Sequence, residues 1–129
     1  MSVAIEKLSV LVVEDEGLIS MFIEDMLTDM GHEIGAVAAS MEAAMQAAAT
    51  GSFGLAIVDV NLDGTPSYPV AEILRSRGIP FVLATGYGAA GLDPGYAGAS
   101  STLQKPFTQE DLHAALSRII ASRPRDPAH

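Results

Sequence analysis

The chain has 129 residues, 49% hydrophobic and 18% charged, which fits one compact domain and excludes a disordered polar chain. A formal net charge of −9 opposes phosphate backbones and so direct nucleic-acid binding, and the lack of cysteine excludes disulfides, thiolate metal sites and thiol catalysis. Residues 1–8 alternate apolar and charged side chains with no long apolar run, so neither a signal peptide nor a membrane span is expected, and a cytoplasmic location is.

Along the chain, short apolar runs alternate with helical patterns, with no internal repeat and no linker between them. Leu8 to Val13 is an apolar run broken only by Ser9, which predicts a strand buried on both faces. Glu16 to Met30 follows as a helix, with Leu18, Ile19, Phe22, Ile23, Met26, Leu27 and Met30 in a stripe and Gly31 as its stop. Ile34 to Ala39 is a weaker second strand. Ser40 can then cap an alanine-rich helix running to about Thr50. Leu55 to Val60 is the third strand, and Asp63 to Pro69 a loop. Val70, Ile73 and Leu74 mark a third helix closed by Gly78. Ile79 to Ala84 is the fourth strand and Ser100 to Leu103 a short fifth. Thr108, with Asp111 three residues on, opens a final helix carrying Leu112, Ala115, Leu116, Ile119 and Ile120 on one face. Residues 1–122 are read as one domain and 123–129, rich in Pro, Arg and Asp, as a disordered tail.

Strands alternating with helices predict an α/β fold: a doubly wound five-stranded parallel sheet, order 2-1-3-4-5, with helices on both faces. Such sheets bind ligands at the carboxyl ends of their strands, near the point where strand order reverses. Glu14 and Asp15 follow the first strand, Asp59 ends the third, Thr85 the fourth, and Lys105, before Pro106, the fifth. Each group alone is ordinary, since acidic pairs and Lys-Pro pairs commonly make turns and caps. Their meeting on one rim is not. Three carboxylates side by side repel unless a cation lies among them, and hard oxygen donors suit magnesium. Lys105 and Thr85 supply a positive charge and a hydroxyl for an anion, and an aspartate can form an aspartyl-phosphate.

With these residues in view, the sequence resembles the receiver domains of two-component response regulators, flavodoxin-like in fold. The resemblance runs from Leu8 to about Ile120. It is carried by Val12-Val13-Glu14-Asp15, Val58-Asp59-Val60-Asn61, Ala84-Thr85-Gly86-Tyr87 and Lys105-Pro106-Phe107. It implies that Asp59 is the phosphoacceptor, served by a histidine kinase. Asp15, Asp59 and the Asn61 backbone carbonyl would ligate Mg2+, with Glu14 acting mostly through metal-bound water. Thr85 and Lys105 would hold phosphoryl oxygens, and Asn61 and Tyr87 would tune phosphoryl lifetime. The domain is then a signalling phosphoacceptor and not an enzyme beyond its own phosphorylation and dephosphorylation.

Two features depart from the family pattern. Thr102 stands where many receivers carry a switch aromatic, and glycines at 86, 88, 91, 95 and 98 follow Thr85, each costing about 1 kcal/mol in a helix. A fourth helix there is expected to be short, the switch to be a loop shift or an order–disorder change, and Tyr87 and Tyr96 to be candidates for the aromatic's role or to pack against the last helix. The Ala-Thr-Gly-Tyr stretch resembles a subgroup of stand-alone alphaproteobacterial receivers, often associated with an atypical histidine kinase class. No output domain is expected after Ile120, so output falls to a protein–protein contact on the face of the fourth helix, fifth strand and fifth helix. A phosphate sink, a relay intermediate and a phosphorylation-dependent dimer remain open. His32, His113 and His129 are expected at the surface. The alternatives are an interaction module that works without phosphorylation, a phosphatase with an aspartyl intermediate, and a flavin carrier. The phosphatase lacks a second Asp two residues after its nucleophile. The flavin carrier lacks a hydroxyl-rich loop, since Glu14 to Gly17 is acidic.

Overall fold

The computed structural model describes residues 7–86, 96 and 99–122. The elements in chain order are β1 (Ser9–Val13), α1 (Gly17–Asp29), β2 (Glu33–Ala38), α2 (Met41–Thr50), β3 (Leu55–Asp59), β4 (Asn61–Leu62), β5 (Thr65–Pro66), α3 (Tyr68–Ser76), β6 (Phe81–Thr85), β7 (Ser101–Gln104) and α4 (Gln109–Ser122). Five strands form one sheet in the order β2-β1-β3-β6-β7, every pair parallel. This is the expected 2-1-3-4-5 order, because β4 and β5 stand apart as an antiparallel two-stranded ribbon.

The ribbon replaces the expected loop over Asp63–Pro69. Its turn is Asp63–Gly64, with φ of 49° and 83°, the left-handed pair that a two-residue hairpin demands and that an Asp-Gly sequence favours. Other local signals act as expected. Gly31 (φ 90°) and Gly78 (φ 71°) end α1 and α3 in a conformation that a Cβ would disfavour. The Ser40 hydroxyl accepts the Ala43 N–H at 3.2 Å, and Thr108 and Asp111 cap α4 reciprocally at 3.0 and 3.1 Å.

Alternation along the strands sends side chains to two cores. Leu11, Val13, Ala56, Val58, Phe81 and Leu83 face α2 and α3, meeting Ala44, Ala48, Val70, Ala71 and Leu74. Val10, Val12, Leu55, Ile57 and Val82 face α1 and α4, meeting Ile23, Leu27, Leu112, Ala115 and Leu116. His32 is buried, contrary to expectation: its Nδ1 accepts the Leu8 N–H at 3.2 Å at the start of β1, where the ladder leaves that donor over. His113 is exposed as expected, and His129 lies outside the described residues. So do Tyr87, the glycines at 88, 91, 95 and 98, and the tail 123–129. Among the described residues no helix is long and apolar enough to cross a membrane.

Candidate phosphoacceptor site

Chain order reverses between β1 and β3. β1 sends its chain to β2 on one side, and β3 lies on the other, so the two strand ends flank a crevice. Glu14 and Asp15 follow β1, and Asp59 is the last residue of β3. A carboxylate oxygen from each lies within 4.8 Å of the other two. The sheet thus brings Asp59 to an acidic pair 44 and 45 residues before it in sequence.

Each carboxylate is oriented by a named donor. Glu14 is 1% exposed; its Oε2 accepts the Glu16 N–H at 3.2 Å, and its own N–H donates to the Ala38 carbonyl at 3.1 Å. Asp15 Oδ2 accepts the Asp63 N–H at 2.9 Å, so the ribbon's turn folds back onto the rim. Asp59 Oδ1 accepts the Asn61 N–H at 3.2 Å. Asn61 turns its side chain away, where Oδ1 accepts the Gly64 N–H at 2.8 Å and steadies the turn.

Lys105 arrives from β7. Its N–H donates to the Thr85 carbonyl at 2.8 Å, tying the ends of β6 and β7 together. Its Nζ lies 2.8 Å from Glu14 Oε1 and 3.1 Å from Asp59 Oδ2. Burial pushes the Glu14 carboxyl up to about 7, against the opposing pull of the Lys105 hydrogen bond. Burial alone lowers the Lys105 ammonium, but its bonds to Glu14 and Asp59 outweigh that and raise it, so it stays charged. Thr85, at the end of β6, is fully buried.

Glu14, Asp15, Asp59, Asn61, Thr85 and Lys105 therefore lie on or beside one rim, and Tyr87 lies outside the described residues. Two participants were not singled out from sequence, the Asp63 N–H and Ser67, whereas Tyr96 was named as a candidate for the missing aromatic's role or for packing against the last helix. Tyr96 is buried on the α2/α3 side and not against the last helix; its OH donates to the Val60 carbonyl at 2.7 Å and accepts the Ser67 N–H at 2.9 Å. The Ser67 hydroxyl donates to the Asp59 carbonyl. The Asp63–Gly64 pair was the legible signal for the ribbon; nothing local marks Ser67 or the partners of the Tyr96 hydroxyl. Thr102 sits on β7 opposite Leu83, half-buried, so no aromatic side chain occupies that place.

The donor set of three hard carboxylates, with one lysine against them and no sulfur or imidazole, fits a hard divalent cation such as magnesium.

Comparison with known proteins agrees with this geometry. The family described as response regulator receiver domain matches residues 10–117. The transcriptional regulatory protein TcrA of Mycobacterium tuberculosis is 34% identical over 128 residues, covering 92% of this chain and 49% of its own. The chain spans about half the length of the curated relatives it matches. SdrG of Sphingomonas melonis superposes with a TM-score of 0.76 at 37% identity, over 88% of this chain and 97% of that one. The receiver domain of the sensor histidine kinase PA1611 of Pseudomonas aeruginosa, solved with a magnesium ion coordinated in its active-site cleft, superposes at 0.79 and 25% identity. That match covers 91% of this chain and all of the other. A match across most of the chain, on a sheet of this order and with this acidic rim, means that the chain belongs to the response regulator receiver domain family.

Proposed function

We propose that the chain is a phosphoacceptor: Asp59 takes a phosphoryl group from a phosphohistidine of a histidine kinase and passes the signal on by protein–protein contact. The observation that carries this reading is Lys105 Nζ, 2.8 Å from Glu14 and 3.1 Å from Asp59 in a cluster of three carboxylates. An ammonium so placed can follow an Asp59 oxygen when it gains a phosphoryl group, and three acids beside it leave room for a second cation. Asp15, Asp59 and the Asn61 backbone carbonyl are the residues to hold magnesium, with Glu14 reaching it through water. When bound, the ion offsets charge on the phosphoryl oxygens.

In the transfer, an Asp59 carboxylate oxygen attacks phosphorus in line with the phosphohistidine P–N bond. The new O–P bond forms from an oxygen lone pair as the P–N bond breaks, and its electron pair stays on the imidazole nitrogen, which then takes a proton from water. Lys105 moves from Asp59 Oδ2 to a phosphoryl oxygen, and the Thr85 hydroxyl takes another. The Asn61 N–H steadies the acyl oxygen that remains.

The donor must reach this rim. On α1, Leu18, Met21 and Phe22 form an outward stripe, 66%, 60% and 54% exposed. A groove lined by Ile19, Phe22, Met26, Lys105, Pro106 and Phe107 joins that stripe to the acidic cluster through Lys105 itself. We read this as the landing face for the kinase's phosphohistidine domain. The stretch Ala84-Thr85-Gly86-Tyr87 supports placement among the stand-alone receivers described above, and SdrG, matched over nearly its whole chain, supports it further.

The test is intact mass after incubation with a small-molecule phosphoryl donor and magnesium. The wild type should gain one phosphoryl group, and Asp59→Asn or chelation should abolish the gain. No adduct on the wild type would overturn the reading in favour of an interaction module that works without phosphorylation.

A further inference from the structure

Asp59 is held from behind as well as from the front. Its carbonyl accepts the Ser67 hydroxyl, and the next carbonyl, of Val60, accepts both the Tyr96 OH at 2.7 Å and the Ser67 N–H at 3.0 Å. The Val60 N–H donates to the Ala84 carbonyl at 3.0 Å. Ser67 is fully buried and Tyr96 6% exposed, so these polar atoms have little water to turn to if a partner moves.

The rest of β3 has little freedom. β1 and β6 flank it, Val58 pairing with Val13 on one side and with Leu83 on the other. Pairing with β1 stops there, and Asp59 pairs only with Ala84. Any adjustment of the strand must therefore come at Asp59 and Val60, whose carbonyls Ser67 and Tyr96 hold. An acyl phosphate on Asp59 calls for such an adjustment, because Lys105 then follows an oxygen farther from the strand. Tyr96 also meets the ring of Tyr68 edge to face, centroids 6.3 Å apart at 88°, and Tyr68 opens α3 with 38% of its surface exposed. One continuous path thus leads from the strand end to the surface.

We propose that Tyr96 is a positioning residue whose phenol couples the phosphorylation state of Asp59, through the Val60 carbonyl and Ser67, to the surface at Tyr68. The proposal rests on the phosphoacceptor reading. The Tyr96 hydroxyl bonds Val60 and Ser67, so it acts through the backbone and not in the transfer itself. A merely structural anchor would keep its hydrogen bonds in both states.

The chain has three tyrosines and no tryptophan, so the variant Tyr68→Phe/Tyr87→Phe leaves Tyr96 as the sole source of the tyrosine band. The tyrosine band and the intact mass are followed together after adding a small-molecule phosphoryl donor and magnesium. The expected result is a shift of the Tyr96 band with the time course of the adduct, absent when Asp59→Asn is added. If the paired substitutions disturb folding, the difference between wild type and Tyr96→Phe supplies the same spectrum. Tyr96→Phe should also change acyl-phosphate lifetime by about three- to tenfold, as one hydrogen bond lost in one state does. A full adduct with an unmoved Tyr96 band overturns the coupling alone. No adduct at all, by mass, overturns the phosphoacceptor reading and the coupling with it.

Discussion

The two faces of the sheet are built from neighbouring residues of the same strands, yet they are packed differently. The face under α2 and α3 takes Ala38, Ala44, Ala48, Ala56 and Ala71 into its core, whereas the face under α1 and α4 takes one alanine, Ala115, among leucines, isoleucines and valines. Small side chains let helices lie close and leave room for one buried tyrosine and its polar network. Large aliphatic side chains fill the other core, and beyond it α1 still presents Leu18, Met21 and Phe22 to the outside. The difference teaches a division of labour. If Tyr96 and the α1 stripe act as proposed, one face reads the strand end from within and the other offers a surface on which a partner can land.

The comparison can be broken at either core. Leu112→Ala should leave a cavity in the large-residue core and cost about 2–5 kcal/mol in chemical denaturation. A loss much below that would show that α4 settles into the space and that this core is looser than its residues imply. Ala44→Leu should overfill the small-residue core and cost about 1–3 kcal/mol. A neutral result there would remove the claim that α2 lies at close approach.

The rim belongs to neither face, and its signature is pH. Glu14 has a folded pKa of about 7 against an ordinary value of 4.5, so the folded chain holds the proton more tightly than the unfolded one. The stability this brings is fully present below pH 4.5 and is lost as pH rises through about 7. Without divalent cations, the wild type should lose about 2–3 kcal/mol more than Glu14→Gln between pH 5 and pH 8. Parallel pH profiles for the two proteins would count against a buried, protonatable Glu14.

The smallest effect sharpens the landing face. Phe22→Ala removes an exposed ring, so stability should change by less than about 0.5 kcal/mol. Transfer from the cognate kinase should fall by about tenfold, while uptake from a small-molecule donor stays at the wild-type rate. An equal fall with both donors would place Phe22 in the site's packing and not on a docking surface.

Much of this organisation was legible in the sequence. The apolar runs Leu8 to Val13, Leu55 to Val60 and Ile79 to Ala84 are long enough to name buried parallel strands. The topological rule then places Glu14, Asp15, Asp59, Thr85 and Lys105 on one rim from strand order alone. What stayed hidden depends on long-range contacts. His32 follows a helix-ending glycine and reads as exposed, but an unpaired Leu8 N–H gives it a buried partner. Tyr96 lies among glycines, and only the fold reveals that its hydroxyl meets Val60 and Ser67. The Asp63–Gly64 hairpin was within reach, since that dipeptide marks the turn, but two-residue strands carry too little periodicity to stand out.

The short hairpin has a practical consequence. Its Asp63 amide donates to Asp15 Oδ2 at 2.9 Å, linking positions 48 apart in the chain. The chemical shift and solvent exchange of an amide proton depend on the charge and position of the carboxylate it meets. A single cross-peak in a proton–nitrogen correlation spectrum therefore gauges Asp15, with no dye or substitution. Because Asp63 is exposed and outside both cores, that gauge reports on the rim while leaving the packing beneath it intact.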